Sequence, residues 1–218
     1  MRLHANAGER IVIDTAAAAW TPSPEQGVDR VLLERDGGEV ARATSIVRYA
    51  PGARFKSHEH GRGEELLVLA GELRDEHGTY PAGYYLRNPW GTRHAPFSPL
   101  GCTLFVKLRQ MRADDRQVVV VQDAVARCVP IRAGMPCRLL LHHDQHESVS
   151  LVRWPPGHAD ARHRHARGEE ILVLEGELAD EHGRYGAGTW LRQPPDSEHQ
   201  PFTQRGCLFW MKAGVARD

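Results

Sequence analysis

The chain contains the same histidine-rich motif twice. Each copy has two histidines one residue apart, a glutamate four residues after the second, and a third histidine further on; the two sets are His58, His60, Glu64 and His94, and His163, His165, Glu169 and His199. All matched positions are 105 residues apart, and 32 of the 58 residues from 45 to 102 are identical to their counterparts from 150 to 207. This self-similarity predicts two copies of one structural unit in the 218-residue chain.

The repeat also suggests where the domains divide. Upstream of the motif the two copies align at a step of 108 residues, so that residues 11–14 match residues 119–122. The three-residue difference falls in the glycine-rich stretch 37–44, where a turn can lengthen at little entropic cost. We place the boundary in the polar run 110–115, which predicts domains of residues 1–112 and 113–218. Each domain is long enough to bury one core.

Composition argues against several classes of protein. The formal net charge is zero and basic residues do not interleave with aromatic ones, so nucleic acid is not an expected partner. No apolar run approaches the roughly 18 residues of a membrane span, and residues 1–9 lack the apolar core of a signal peptide. We therefore expect a cytoplasmic protein with no membrane partner. Four cysteines in a chain of this length do not indicate a disulfide framework. None of them is in a Cys-x-x-Cys pair, which argues against a zinc ribbon or a thioredoxin-like site.

Short segments rich in valine, leucine, tyrosine and tryptophan alternate with turn signals along the chain. They predict β-strands at residues 45–49, 64–69, 84–87 and 103–108, with matching strands at 150–154, 169–174, 189–192 and 208–212. No stretch has a helical hydrophobic period, so each half is expected to be all-β, as a sandwich or a small barrel.

Strand geometry constrains how the motif folds. His58 and His60 lie on the same face of a strand, about 7 Å apart along it, whereas a straight strand would place Glu64 roughly 13 Å beyond His60. Residues 61–63 must therefore turn the chain so that Glu64 begins a neighbouring strand and faces back. His94 arrives on a third strand, and all four side chains then line the inside of one barrel mouth.

Three histidines and one glutamate at fixed spacing indicate a metal site, and the repeat indicates two metals per chain. Imidazole suits zinc, iron, nickel and copper, and one carboxylate does not choose among them. A closed four-ligand site is typical of structural zinc. The same four ligands leave two open positions on an octahedral ion such as iron or manganese. We expect a divalent metal, zinc first, with iron, manganese or nickel as alternatives.

The spacing resembles the two motifs of the cupin superfamily over nearly the whole chain. The first motif, Gly-x5-His-x-His-x3,4-Glu-x6-Gly, is met at every position in both copies. The second motif is Gly-x5-Pro-x-Gly-x2-His-x3-Asn, and the first copy departs from it only in having Ser98 in place of the asparagine. In the second copy Asp196 replaces the second glycine and Thr203 replaces the asparagine. The resemblance implies two tandem cupin barrels of the double-stranded β-helix or jelly-roll type. The departures from the second motif leave the ligands intact and concern the shape of the pocket at the second site.

Within the superfamily the chain looks like the ChrR-type cupin domain. The markers are the Gly-Glu-Glu run at 63–65, Asp75-Glu-His-Gly78 with Tyr80, and Gly101-Cys102, all repeated in the second copy. In that family a zinc-bound cupin is joined to an N-terminal helical zinc domain that holds a sigma factor. The first 40 residues contain no His-x3-Cys-x2-Cys, so binding of a sigma factor is not implied.

Other polar residues near the motif have ordinary interpretations. Glu65 and Glu170 have the wrong strand parity to join the metal and are expected to be solvated or to pair across strands. Ser98 and Thr203 either orient a ligand or serve as turn residues. Cys102 and Cys207 are expected to be buried and inert, with a redox role as the alternative. His77 and His182 are expected to be structural residues of turns. A surface loop is expected to hold His142, His143 and His146 with Asp144. The aromatic residues expected to shape a pocket or fill the core are Tyr84, Tyr85, Trp90, Trp190 and Trp210.

Two function classes remain open. The resemblance implies a metal-binding, sensory or regulatory module without turnover. The alternative is a metal-dependent dioxygenase, similar to acetylacetone dioxygenase or quercetinase, that acts on a small carbonyl- or hydroxyl-bearing compound. There Glu64 or Glu169 would detach from the metal and act as a base. Both classes allow a small-molecule ligand in the barrel mouths and a homodimer, and no catalytic residue is assigned.

Overall fold

Strands account for nearly all of the regular structure. The computed structural model describes residues 1–38 and 40–214; Glu39 and the last four residues of the second predicted domain lie outside the described residues. The strands are β1 (Arg2–Leu3), β2 (Ile11–Asp14), β3 (Thr21–Pro22), β4 (Val28–Gly37), β5 (Ala41–Tyr49), β6 (His58–Glu59), β7 (Glu64–Asp75), β8 (Gly78–Pro81), β9 (Tyr85–Asn88), β10 (Arg93–His94), β11 (Cys102–Leu108), β12 (Val119–Val121), β13 (Cys137–His143), β14 (Ser148–Trp154), β15 (His163–His165), β16 (Glu169–Asp180), β17 (Gly183–Gly186), β18 (Thr189–Gln193), β19 (Ser197–His199) and β20 (Cys207–Ala213).

The all-β prediction is confirmed. Each of the eight predicted strands overlaps an observed one, from β5, β7, β9 and β11 in the first copy to β14, β16, β18 and β20 in the second. Within the described residues the one α-helix is α1 (Ala124–Arg127), a single turn. No helix among those residues is both long enough and apolar enough to cross a membrane.

Two units divide the chain. The first comprises Met1–Ala5 and Ala19–Ala124. Its main sheet has the order β1-β4-β5-β11-β7-β9-β12, with β3 beside β4 and β8 beside β7, and a separate two-stranded sheet pairs β10 with β6. The second unit comprises Asn6–Ala18 and Val125–Asp218. Its main sheet runs β13-β14-β20-β16-β18-β2, with β17 beside β16, and β15 pairs with β19.

The bounds of the two units differ from the predicted domains of residues 1–112 and 113–218, both near the N-terminus and at the boundary between the domains. Strand β2 pairs with β18, with Ile11 opposite Arg192, so the segment Asn6–Ala18 groups with the second unit. Strand β12 pairs with β9 in the same way, with Val119 opposite Arg87, so the first unit extends to Ala124. The reason is backbone hydrogen bonding, because the open edges of β9 and β18 each accept one further antiparallel strand.

Each unit has its own apolar core on the inner face of its main sheet. In the first unit the core includes Leu66, Val68, Leu86, Leu104 and Val106. In the second unit it includes their counterparts on β16, β18 and β20, namely Ile171, Val173, Leu191 and Phe209. Because side chains alternate along a strand, Glu64 shares the inner face with Leu66 whereas Glu65 points to the opposite face. This is the parity that the sequence predicts.

A bend in β7 lets one strand serve two partners. Its first part pairs with β9 and its last part, Glu72–Asp75, pairs with β8. Gly71 lies at the bend with φ of 71°, and a Cβ there would lie 2.1 Å from the carbonyl oxygen of Gly101. Glycine is therefore required at this position, as at its counterpart Gly176, which has the same φ and the same close approach.

Candidate metal centres

Four predicted ligands of the first copy come together inside the first unit. His58 lies on β6, directly opposite His94 on β10. His60 follows β6, and Glu64 is the first residue of β7. Each of the four side chains offers a ligand atom within 4.8 Å of those of the others. The sharp turn predicted at residues 61–63 is present, with Arg62 at φ 68° and Gly63 at φ 77°.

The donor atoms of this cluster converge on one point. Glu64 Oε2 lies 3.4 Å from Nε2 of His60 and 3.5 Å from Nε2 of His94. Both Nε2 atoms are buried and find no hydrogen-bond donor or acceptor among the described residues. Buried nitrogens without such partners are costly unless another group satisfies them. A divalent cation does so, and the residues present therefore fit a metal ion.

Hydrogen bonds behind two of the rings set their tautomers. The Thr92 hydroxyl donates to the carbonyl of Pro89 at 2.7 Å, so it accepts the Nδ1–H of His60 at 2.9 Å. The Nδ1–H of His94 donates to Asp75 Oδ2 at 3.0 Å. Each ring therefore keeps its Nε2 lone pair for the metal, which is the usual arrangement around histidine ligands.

The same contacts move the pKa values in the first cluster. Burial lowers the pKa of His60, and the neighbouring His94 and His58 lower it further against the opposing charge of Glu64. Burial also acts to lower the pKa of His94, but the hydrogen bond to Asp75 and the charge of Glu64 outweigh it and raise that pKa. Asp75 responds in the opposite sense: burial acts to raise its pKa, and its hydrogen bonds from His94 and the backbone of His77 outweigh burial and lower it.

Three histidines come together in the second unit. His163 and His165 lie on β15, with His163 opposite His199 on β19, and the three rings offer atoms within 4.8 Å of one another. Nε2 of His165 lies 2.9 Å from Nε2 of His199. Burial and the two neighbouring rings lower the pKa of His165 to about 4, so this ring is neutral at pH 7.

Glu169 lies beside this second cluster rather than within the mutually close group. Its Oε2 is 3.5 Å from Nε2 of His165 and 3.8 Å from Nε2 of His199. That oxygen is buried without a hydrogen-bond donor among the described residues, and burial raises the pKa of Glu169 to about 8. A cation between the three rings would supply the missing partner and return the carboxyl to its charged form.

Sequence reasoning missed the aspartates that hold the third histidine of each set. Asp180 Oδ2 lies 3.3 Å from Nδ1 of His199, as Asp75 Oδ2 does from Nδ1 of His94 at 3.0 Å. The signal was present, because the sequence Asp-Glu-His-Gly occurs in both copies, at 75–78 and 180–183. In the sequence this tetrapeptide indicates the family but not the role of its aspartate.

Of the two expectations for Glu65, solvation is wrong and pairing across strands is confirmed, because Arg87 lies opposite Glu65 on the neighbouring strand β9. The Glu65 side chain is buried on the face opposite the metal cluster, where it accepts hydrogen bonds from the hydroxyl of Tyr85 at 3.0 Å and from Nη1 of Arg87 at 3.3 Å. Arg87 also pairs with Asp115. Glu170 and Arg192 occupy the same positions in the second unit and are likewise buried. Both sheets thus carry buried charge behind the metal-binding face.

The remaining candidates take structural positions. Ser98 and Thr203 donate to the carbonyls of Glu72 and Glu177, each at 2.6 Å, so each side chain connects its loop to the long strand β7 or β16. Cys102 and Cys207 are buried, and burial raises the pKa of both thiols, that of Cys207 to about 11. Such thiols are poor nucleophiles, as the inert interpretation expects.

The structure also shows where the other histidines and the aromatic residues named from the sequence lie. His142 is not on a surface loop but buried on β13, with Nε2 3.7 Å from Asp144 Oδ2. Among the aromatic residues, Trp90 is exposed, whereas the counterparts Tyr85 and Trp190 are fully buried, as is Trp210. His77 and His182 lie in the predicted tight turns after Asp75 and Asp180.

A cavity of about 580 Å³ opens onto the first cluster. Its walls include His58, His60, Glu64 and His94, together with apolar or aromatic side chains; among these are Val47, Tyr49, Phe55, Leu104 and Val106. Three of these positions carry larger residues in the second copy, where Trp154, Phe209 and Met211 replace Tyr49, Leu104 and Val106. Trp154 and Phe209 pack edge-to-face with ring centroids 5.3 Å apart. At a fourth position the smaller Asp160 replaces Phe55, so the two lumens are lined differently.

Solved structures with the same fold support the architecture. A proposed dioxygenase from Nostoc punctiforme superposes with a TM-score of 0.76 at 15% identity, covering 97% of this chain and 85% of that one. The bacterial pirin YhhW from Escherichia coli, in complex with nickel(II), gives 0.68 at 14% identity, over 96% and 100%. Oxalate decarboxylase from Bacillus subtilis gives 0.65 at 12% identity, over 97% and 77%. At such identities the likeness concerns the fold alone.

Sequence comparison identifies the family. No curated protein sequence matches the chain. The family model of the ChrR cupin-like domain, however, matches residues 8–112 and again residues 116–217. These two matches coincide with the two copies of the internal repeat, and the expected tandem cupin architecture is confirmed. The chain therefore belongs to the family of ChrR cupin-like domains, with two copies of the domain in succession.

Proposed function

We propose that this protein holds one divalent metal in each unit and that the metal of the first unit faces a small-molecule ligand in the adjoining cavity. The observation that carries the proposal is the position of the buried nitrogens of His60 and His94, which meet Glu64 at the wall of a cavity of about 580 Å³. A metal held there would act as a Lewis acid toward the ligand's oxygen atoms.

The cavity favours a ligand with one polar end and an apolar body. Polar groups converge at the metal cluster, whereas Val47, Leu104 and Val106 form an apolar wall. Tyr49 adds a phenol to this wall; burial and the charge of Glu64 raise its pKa, so it stays a neutral hydrogen-bond donor. Apolar walls with a few fixed polar groups are typical of small-molecule sites. A compound with paired oxygens, such as a β-diketone, has this combination of features.

We propose zinc for the second unit, with iron, manganese or nickel as alternatives in either unit. The three clustered histidines, with Glu169 Oε2 3.5 Å from Nε2 of His165, would provide the four ligands of a closed tetrahedral site. Trp154 on β14 and Phe209 on β20 are larger than their counterparts in the first unit and leave less room for a further ligand on that side of the lumen. In this assignment the second metal stabilises the fold and the first one meets the ligand.

A metal-dependent dioxygenase is the second candidate function. It is favoured by the cavity beside the first cluster and by the fold shared with the proposed dioxygenase of Nostoc punctiforme. In that case Glu64 is the candidate base, since it lies among the histidines and faces the ligand. Asn88 Nδ2 donates to Glu64 Oε2 at 3.2 Å, which would orient the carboxylate.

The first test is elemental analysis of untagged protein purified without added metal. We expect about two equivalents of divalent metal per chain, and a metal content near zero would overturn the proposal. Calorimetric titration with acetylacetone then tests the cavity, and an oxygen electrode records turnover. Binding without oxygen uptake supports the non-catalytic module, whereas uptake of one O₂ per diketone supports the dioxygenase.

A matched pair of variants tests which unit takes the ligand. Leu104→Phe introduces into the first unit the residue that the second copy already carries, so it should narrow the cavity without unfolding the protein. We expect it to weaken diketone binding about tenfold or more while metal content stays at wild-type level. Phe209→Leu makes the reverse change in the second unit and should leave diketone binding unaltered. Equal binding by wild type and Leu104→Phe would contradict the assignment.

A further inference from the structure

In the second unit an arginine closes the site behind the third histidine. Arg10, just before β2, donates from Nε to Gln193 Oε1 at 3.2 Å and from Nη2 to the Tyr185 hydroxyl. Its Nη2 also lies 3.6 Å from Asp180 Oδ2, the carboxylate oxygen that holds His199. The guanidinium carbon lies 5.5 Å from the centre of the Tyr185 ring. A carboxylate, a phenol and an amide oxygen thus form a seat for one guanidinium group.

The first unit has the same seat but no arginine. Its counterparts of Asp180, Tyr185 and Gln193 are Asp75, Tyr80 and Asn88, each 105 residues earlier. The counterpart of Arg10 follows from strand register: Ile11 lies opposite Arg192 as Val119 lies opposite Arg87, so the residue before each strand is Arg10 in one unit and Val118 in the other. A valine brings neither charge nor hydrogen-bond donors to the seat.

A cavity of about 360 Å³ occupies this place in the first unit. Asp75, Tyr80 and Asn88 line it, and Val118 forms part of its rim with 59% of its surface exposed. Asp75 holds His94 through Oδ2, as Asp180 holds His199, and Tyr80 donates to Asp75 Oδ1 at 3.0 Å. Asn88 donates its amide hydrogen to Glu64, which leaves its carbonyl oxygen available as an acceptor.

We propose that this cavity is a binding site for a small guanidinium or amidinium cation, which takes the place that the Arg10 side chain occupies in the second unit. A planar cation with several N–H donors matches a carboxylate and two neutral oxygens better than a spherical ammonium ion does. The ring of Tyr80 offers a face for stacking, and Val118 and Val120 offer apolar contact to a short tail.

Other charged groups at the cavity do not compete for this seat. Arg93 also lines the cavity, but its guanidinium lies 3.4 Å from Glu59 Oε2, with 60% of its side chain exposed. His77 is exposed, and its Nε2 lies 3.2 Å from the carbonyl of Arg93. The carboxylate of Asp75, in contrast, is 3% exposed, so the low-dielectric surroundings strengthen its attraction for a cation.

The site is distinct from the ligand cavity proposed above. His60 and His94 line both cavities, but they face them with different atoms. Glu64, in the lumen, lies beside Nε2 of His94, whereas the cation would contact Asp75 beside Nδ1 of the same ring. Calorimetric titration with methylguanidinium chloride tests the site, first on protein stripped of metal and then on metal-loaded protein. The isosteric neutral compound N-methylurea is the control, because it has the same shape without the charge. Because the titration is first done on metal-free protein, its result does not depend on whether the proposed metal sites bind metal.

We expect one equivalent of methylguanidinium to bind to the wild type, and N-methylurea to bind about tenfold more weakly or not at all. Val118→Arg should fill the seat from within, abolish methylguanidinium binding and raise the melting temperature. Arg10→Val should open the second seat, add a second equivalent and lower the melting temperature, with partial recovery on addition of methylguanidinium. If Arg10→Val does not fold, the wild type and Val118→Arg still decide.

Four results would overturn the proposal. The first is a flat titration of the wild type with methylguanidinium. The second is equal binding of N-methylurea, which would mean that charge is not recognised. The third is unchanged affinity in Val118→Arg, which would place the bound cation elsewhere. A preference for methylammonium over methylguanidinium would also contradict the planar, multi-donor chemistry inferred from the Arg10 seat.

Discussion

Asp75 stands directly behind His94, with its Oδ2 3.0 Å from Nδ1 of the ring. The hydrogen bond fixes the ring so that Nε2 faces Glu64, and it places a buried negative charge next to the metal site. The pair Asp180 and His199 repeats this relationship in the second unit at 3.3 Å. Carboxylates in this position raise the basicity of a histidine ligand.

Removing the charge of Asp75 should weaken the first metal site. Asp75→Asn keeps an oxygen that accepts from His94 but loses the negative charge, so we expect metal affinity there to fall by about 10–100-fold. Competition with a chromogenic chelator measures the change, and the unaltered second site serves as the internal reference. Equal affinities in wild type and variant would mean that Asp75 does not act on the metal through His94.

Loss of a single histidine should remove a single metal. His60→Ala and His165→Ala should each lower the metal content by about one equivalent per chain and lower the melting temperature, because the metal binds only the folded state. Elemental analysis and thermal unfolding provide the two readouts. The control is His77→Ala, whose side chain is 64% exposed in a turn and should change neither. Unchanged metal content in both ligand variants would refute the ligand assignment.

Metal binding in the second unit should release a proton near neutral pH. Burial raises the pKa of Glu169 to about 8 and lowers that of His165 to about 4, so at pH 7 the carboxyl is protonated and the ring is neutral. A metal that binds Glu169 must displace its proton, and the apparent affinity should rise as pH increases toward 8. The His60→Ala variant is used because it should bind only the second metal. Calorimetric titration of this variant with metal, in buffers of different ionisation enthalpy, gives the number of protons released on binding.

The same carboxyl predicts how the metal-free protein responds to pH. The pKa of Glu169 is about 8 in the folded state against an ordinary value of 4.5 for a glutamate, so the folded state holds the proton more tightly. Its contribution to stability is fully present below pH 4.5 and is lost as pH rises through 8. Glu169→Gln should flatten this part of the stability profile measured by urea unfolding of metal-free protein. A profile identical to that of the wild type would contradict the prediction.

The buried pair of Glu65 and Arg87 should matter far more to stability than an exposed pair. Their side chains are 3% and 1% exposed, with Glu65 Oε2 3.3 Å from Arg87 Nη1. Arg87→Met would leave Glu65 buried without this partner, at a cost of about 3–5 kcal/mol in the free energy of unfolding. Arg2→Met breaks the exposed pair with Asp36 and should cost less than about 1 kcal/mol. Urea unfolding compares the two, and similar losses would count against a buried charge network.

The sequence alone was enough to predict the repeat, the all-β class, the turn at residues 61–63 and the three histidines that meet in each unit. These features depend on local spacing: strand parity places His58 and His60 on one face, and the length of a straight strand requires a turn before Glu64. The second copy has the same spacing, so the same constraints apply to His163, His165 and Glu169.

Tertiary structure alone decided which distant groups surround those side chains. Arg10 and Tyr185 are 175 residues apart in sequence, and only the pairing of β2 with β18 brings them together. The contact of Asp75 with His94 likewise depends on the bend in β7 and the return of the chain through β10. Local pattern determines which face a side chain takes, but strand pairing between remote segments determines what it meets there, and this is why Val118 leaves open in the first unit the seat that Arg10 fills in the second.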